Sequence, residues 1–161
     1  PLVAAVQGRA VGIGTTMLLH CDFVVLAENA QLSTPFVNLA LVPEAASTLL
    51  MPMRIGHARA YEMFAFGESM DAQTALNVGI VNRVVPLDGL HAEAAGVAAR
   101  LARLPAGSLA ATKRLMRNPA TLTAQIAAES ECFAERLKTA EAREAFIAFA
   151  ERRQPDFIRV A

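Results

Sequence analysis

The sequence predicts an α/β domain in which short buried strands come first and a layer of helices follows. Two features predict the strand-rich half: the apolar runs Leu2 to Val6 and Asp22 to Leu26, and the glycine-bearing stretch Val11 to Asp22 that links them. A strand, one crossover helix and a second strand make a parallel unit. The third feature is the regular apolar spacing beyond Pro86, which has a helical period. With 54% hydrophobic and 19% charged residues among 161, the chain can bury a core.

Leu2 to Val6 is short, apolar and bounded by Gly8, as a strand buried on both faces would be. Gly12-Ile13-Gly14 then turns the chain into a helix whose first backbone N–H groups lack intrahelical partners. Such a corner, aided by the helix dipole, suits a phosphate, a carboxylate or a developing oxyanion. Asp22 to Leu26 is the second strand, Glu28-Asn29-Ala30 a polar break, and Gln31 to Thr34 a third strand. Pro35 to Val42 is irregular. Pro43 fits a first helical turn, which puts Glu44 at the start of a helix that Pro52 limits. Gly56 and Gly67 bracket a helix over His57 to Phe66, and Asp71 caps another over Ala72 to Val78, closed by Gly79 before Ile80 to Val85.

Beyond Pro86, Leu90, Ala94, Val97, Leu101 and Leu104 mark one face of a helix that ends at Pro105-Ala106-Gly107. Ser108 to Arg117 is the next helix. Pro119 opens another, with Leu122, Ile126, Phe133 and Leu137 on its apolar side, and Phe146 with Phe149 extends the pattern to Arg153.

Fifteen basic residues balance fifteen acidic ones, so charge favours neither nucleic acid nor an anionic membrane as partner. No apolar stretch spans a bilayer and no leader resembles a signal peptide, so a cytoplasmic location is expected. Cys21 and Cys132 are too few for a disulfide framework, and their apolar helical contexts predict buried reduced thiols. No Lys-Ser/Thr pair follows the glycines, so the corner is not a P-loop, and Met17 stands where a dinucleotide fingerprint needs a small residue. There is no Gly-x-Ser-x-Gly elbow. His20, His57 and His91 occur singly, without ligand spacing, and no metal is expected. The chain enters a buried strand directly from Pro1, as the continuation of a larger domain would.

Glu44 is the titratable residue whose surroundings best suit catalysis. Leu39, Leu41, Val42, Ala45, Ala46 and Leu49 would desolvate it, penalising its anion and making it a stronger proton acceptor. A Glu in a first helical turn also favours the dipole by about 0.3–1 kcal/mol with no catalytic role, and both readings stand.

Taken together, several segments resemble the enoyl-CoA hydratase/isomerase (crotonase) superfamily. They are Pro1-Leu2-Val3-Ala4-Ala5-Val6-Gln7-Gly8, the glycine corner before Cys21-Asp22, Leu41-Val42-Pro43-Glu44, Arg54-Ile55-Gly56, Asp71-Ala72 through Gly79-Ile80-Val81, and Ala148-Phe149-Ala150-Glu151-Arg152-Arg153. The resemblance covers essentially the whole chain. It implies the crotonase (ClpP-like) spiral of ββα units with a C-terminal helical region, its N-terminal part missing. Residues 1–86 would be the later part of the spiral core and 87–161 a helical region for trimerisation and CoA covering.

It further implies an acyl-CoA thioester as substrate, a homotrimer or hexamer as assembly, and no cofactor beyond the CoA of the substrate. Hydratases of the family carry two carboxylates where this chain has Thr16 and Phe36, and the peroxisomal-type Δ3,Δ2-enoyl-CoA isomerases carry one, at the position of Glu44. The backbone N–H of Ile13 would be one of two donors to the thioester oxygen, the other lying before Pro1. Gly12, Gly14 and Phe36 match substrate-contacting positions, and Phe133 and Arg152 match positions near the CoA nucleotide. Arg152 is equally a solvated helix end. The implied activity is isomerisation; a hydratase and a non-catalytic acyl-CoA-binding protein are the rivals.

Overall fold

A computed structural model describes residues 1–160. Six short strands occupy the first half: β1 (Val3–Val6), β2 (Arg9–Val11), β3 (Phe23–Ala27), β4 (Gln31–Ser33), β5 (Met70–Asp71) and β6 (Arg83–Val85). They form two three-stranded sheets. In one, β1, β3 and β6 lie side by side, all parallel; in the other, β2 pairs parallel with β4, and β4 antiparallel with β5. Val3 to Val6 faces Phe23 to Leu26, and Arg9 to Val11 faces Gln31 to Ser33. Each strand of the first pair is thus matched by its counterpart after one helical turn, as successive ββα units of a spiral require.

The sequence pattern marked one strand before the corner, and the structure has two in different sheets. Gly8 bends the chain between them and its carbonyl accepts the Gln31 N–H at 2.7 Å. Three residues of β2 are too few to display a period. β5, with two residues, escaped detection for the same reason.

β3 is the centre of the core. Val24, Val25, Leu26 and Ala27 are fully buried, and the two-residue period sends Val24 and Leu26 to the main core, with Leu19, Leu32, Met51 and Ile80. Val25 and Ala27 point the other way, onto Leu90 at the start of helix α5 (Leu90–Ala102). Each such aliphatic side chain contributes about 1.5–3 kcal/mol by leaving water.

The remaining helices are α1 (Ile13–Thr16), continued by a 3₁₀ turn over Met17–His20, then α2 (Ser47–Ile55), α3 (His57–Phe66), α4 (Ala72–Asn77), α6 (Ala106–Met116), α7 (Pro119–Arg136) and α8 (Ala140–Glu151). Asp71 caps α4 as expected, accepting the Thr74 N–H at 2.6 Å. Pro52 does not stop α2, which runs on to Ile55.

The helical half buries less than its periodicity suggested. Ile126, Leu137, Phe146 and Phe149 are exposed, because α7 and α8 lie on the outside of the strand-rich half with nothing over their outer faces. Cys21 is buried as expected and Cys132 is exposed, since α7 turns that face away from the core. No helix among the described residues is long and apolar enough to cross a membrane.

Glu144 on α8 ties down the end of the chain. Arg153 grips its carboxylate with two nitrogens, and the Asp156 N–H donates to it at 2.9 Å. Arg153, then that N–H, hold the Glu144 carboxyl at about 2, below its ordinary 4.5. A depressed folded-state value means the stabilisation is complete above 4.5 and lost as pH falls towards 2. Hydrogen-exchange protection of residues 153–160 is expected to drop across that window while β3 stays protected, and Glu144→Gln to abolish the dependence; protection constant through the window would refute this coupling.

Candidate active site

β2 ends at Val11 and the chain turns at Gly12, whose φ of 56° and ψ of −118° are open to glycine and strained for other residues. The Gly12 N–H donates to the Ser33 carbonyl at 2.9 Å, and its own carbonyl accepts from the Thr15 and Thr16 N–H groups at 2.9 and 3.0 Å. Thr15, fully buried, donates its hydroxyl to the Ala10 carbonyl at 2.7 Å and accepts the Ser33 N–H at 3.2 Å. β2, α1 and β4 are thereby locked around one turn. The N–H groups of Ile13 and Gly14 have no acceptor among the described residues. They are donors at a tight turn, and with only four residues in α1 the macrodipole expected from the sequence is small.

Glu44 comes to this corner from the loop before α2. Its Oε1 accepts the Thr16 hydroxyl at 2.6 Å, and Thr16 is fully buried. Its Oε2 receives no hydrogen bond among the described residues. His20 Nε2 lies 2.7 Å from the Ala45 carbonyl, which can only accept, so the ring donates from Nε2. Both bonds stitch Glu44-Ala45 to the segment that carries Ile13. The Phe36 ring, 8% exposed, lies 3.8 Å from where a Cβ on Gly12 would stand, so it backs the turn from the other side.

The expected placing of Glu44 in a first helical turn is corrected. Ala45 and Ala46 both take left-handed conformations, with φ of 60° and 54°, and α2 begins only at Ser47. Glu44 therefore lies outside the first turn, and the partner its carboxylate has is the Thr16 hydroxyl. Gly12, Ile13, Gly14, Phe36 and Glu44 thus form one cluster. Phe133 is half-buried against the core that contains Phe36 and Leu41. Arg152 is exposed in the left-handed residue that ends α8, and no hydrogen bond among the described residues joins it to the corner. Nor do the described residues contain a His, Cys, Asp and Glu grouping able to hold a metal.

A family profile described as Enoyl-CoA hydratase/isomerase matches residues 1–159. The chain belongs to this family. Among similar proteins, the 2,3-dehydroadipyl-CoA hydratase of Escherichia coli (strain K12) is 36% identical over 159 residues, 98% of this chain and 62% of that protein. Enoyl-CoA delta isomerase 2 of Rattus norvegicus is 36% identical over 132 residues, 82% of this chain and 34% of the relative. The crystal structure of an enoyl-CoA hydratase/isomerase from Pseudoalteromonas atlantica T6c superimposes with a TM-score of 0.92 at 44% identity, covering 97% of this chain and 63% of that one. OdaA of Pseudomonas aeruginosa does so with a TM-score of 0.88 at 41% identity, covering 92% and 62%. The fold is therefore the crotonase fold, and the chain spans about 62% of the length of the curated relatives it matches.

Within this member of the family, sequence reasoning located the cluster and missed what holds it. Thr16 registered as an absent carboxylate, not as the donor to Glu44, and His20 as an isolated histidine. Glu129 escaped notice altogether, although it interrupts the apolar series Leu122, Ile126, Phe133, Leu137 with a charge. Gly12 and Gly14 also differ in kind. A Cβ on Gly14 would meet the Ala10 Cβ at 3.7 Å, an ordinary contact, whereas Gly12 has a positive φ. Gly12→Ala is expected to cost about 1–3 kcal/mol in chemical denaturation, and Gly14→Ala to stay within about 0.5 kcal/mol. Equal losses would mean that backbone conformation does not set the corner.

Proposed function

We propose that the complete protein is an enoyl-CoA isomerase that moves a double bond from C3 to C2 of an acyl-CoA thioester, with Glu44 as its proton shuttle. One observation carries this reading: Glu44 is the carboxylate bound to the corner, and by the family resemblance the positions of the two hydratase carboxylates hold Thr16 and Phe36. The Glu44 carboxylate takes a proton from C2, the electron pair delocalises into the thioester as a dienolate, and the resulting carboxylic acid returns the proton at C4. One base accomplishes both transfers. Adding water would require a group to activate it as well, and neither Thr16 nor Phe36 offers one.

The Thr16 hydroxyl fixes the rotamer of Glu44 through Oε1 and leaves Oε2 to meet the C2 proton. The Ile13 N–H, without an acceptor among the described residues, faces the charge that develops on the thioester oxygen; a donor of this type contributes about 2.7–4 kcal/mol to the transition state. Gly12 and Gly14 admit the thioester close to the backbone, Phe36 walls the acyl side, and Phe133 and Arg152 meet the CoA nucleotide, with no further cofactor. Exposed Phe146, Ile147 and Phe149 on α8 support assembly into a trimer or hexamer. The compartment is the cytoplasm.

A hydratase is the second reading, favoured by the printed names of relatives such as those of Escherichia coli and Rhodobacter capsulatus. Chromatographic separation of the isomeric thioesters, with mass spectrometry to detect added water, applied to the product of the full-length reading frame, decides between them. Conversion of 3-enoyl-CoA to 2-enoyl-CoA, with Glu44→Gln lowering kcat by about 10²–10⁴-fold, is the expected result. Formation of 3-hydroxyacyl-CoA from 2-enoyl-CoA without isomerisation would establish the hydratase, and thioester binding without turnover a binding protein.

A further inference from the structure

α7 is 18 residues long, and Glu129, 5% exposed, is its buried residue. Glu129 takes part in none of the ion pairs among the described residues. Its carboxylate enters the N-terminal end of α2 instead: Oε2 accepts the Ala46 N–H at 2.6 Å, and Oε1 accepts the Thr48 N–H at 3.0 Å and the Thr48 hydroxyl. Gln125, one turn earlier on α7, donates to the same Thr48 hydroxyl at 2.8 Å. A buried carboxylate is stable only when donors replace its water, and here three donors at the positive end of a nine-residue helix do so. No side chain of its own segment caps α2, so the cap comes from a helix 83 residues further along the chain.

Ala45 and Ala46 are two consecutive left-handed residues without a glycine, an arrangement that persists only where the surroundings over-determine it. Glu129 holds the Ala46 N–H, His20 holds the Ala45 carbonyl and Thr16 holds the Glu44 carboxylate. The turn that aims Glu44 is thus clamped from both sides. We propose that Glu129 is a positioning residue for the reaction: through the Ala46 N–H it holds the turn that directs the Glu44 carboxylate at the substrate, so that the C-terminal helical layer sets the geometry of the base. This rests on Glu44 being the base. The amide of a Glu129→Gln variant turns an N–H₂ towards one of the N–H groups the carboxylate had satisfied, releasing the turn with little change in shape.

The test uses the full-length protein with a 3-enoyl-CoA. Glu129→Gln is expected to lower kcat roughly 10- to 100-fold with KM unchanged and the circular dichroism spectrum retained, because a misplaced base slows chemistry more than binding. Gln125→Ala, which weakens the Thr48 contact and leaves the Glu129 carboxylate its three donors, is expected to lower kcat in the same direction by less. In a Glu44→Gln background, Glu129→Gln is expected to cause no further loss. Should Glu129→Gln fail to fold, Gln125→Ala decides by the same split between kcat and KM. Unchanged kcat in Glu129→Gln or Gln125→Ala, or a full additional loss in the double variant, overturns the positioning role while the assignment of Glu44 stands. Full activity in Glu44→Gln alone overturns that assignment, and the positioning role with it.

Discussion

The hydrogen bond from the Thr16 hydroxyl to the Glu44 carboxylate joins two segments 28 residues apart, and both arrive at it for reasons of their own. Thr16 is delivered by the corner at Gly12, whose backbone is pinned to β4 through Ser33 and to β2 through Thr15. Glu44 is delivered by a loop that could not otherwise hold its shape, because two left-handed alanines follow it. Together with the bond from His20 to the Ala45 carbonyl, it is what makes the two segments face each other at that point. The candidate site is therefore a junction between two stacked units of the spiral, and its precision depends on how firmly each is anchored behind.

Behind the corner the anchoring is apolar and dense. Leu18, Leu19, Leu26 and Leu32 are buried beneath it, and Phe36 covers Gly12 directly. A close-packed support of this kind deforms little, which suits an N–H donor that must be in place before charge develops. Behind Glu44 the anchoring is polar. Glu129 and His20 each hold one backbone group of the Ala45-Ala46 turn, and in a buried setting such bonds are strong when complete and costly when broken. The two halves of the site are thus built by different physics, the donor by packing and the base by a hydrogen-bonded clamp.

The helical half has a part in both the site and the surface. α7 supplies Glu129 inward, while Ile126 on the same helix, Leu137 just after its end, and Phe146 and Phe149 on α8 remain exposed. Exposed apolar side chains of this kind are what the proposed assembly into a trimer or hexamer would bury. A helix that meets a neighbour on its outside and holds the Glu44 turn on its inside would link assembly to the geometry of the base.

Much of this was legible in the sequence because it is local. An apolar run marked β3, bracketing glycines marked α3 and a helical period marked α5, Asp71 and Pro119 marked helix starts, and Gly12 with Glu44 stood out as chemistry-bearing residues. The family pattern added Ile13 and Phe36. Other features were invisible because their causes lie far away in the chain. Whether β1 and β2 share a sheet, where α2 begins, which nitrogen of His20 donates and why Glu129 is buried all depend on partners 21 to 83 residues distant. A period records which face of one segment avoids water; it carries no trace of a hydrogen bond to another segment. The sequence by itself determined the order of strands and helices and the residues able to act. Only the tertiary structure decided how the base is held, since the side chains that hold it are brought there by folding alone.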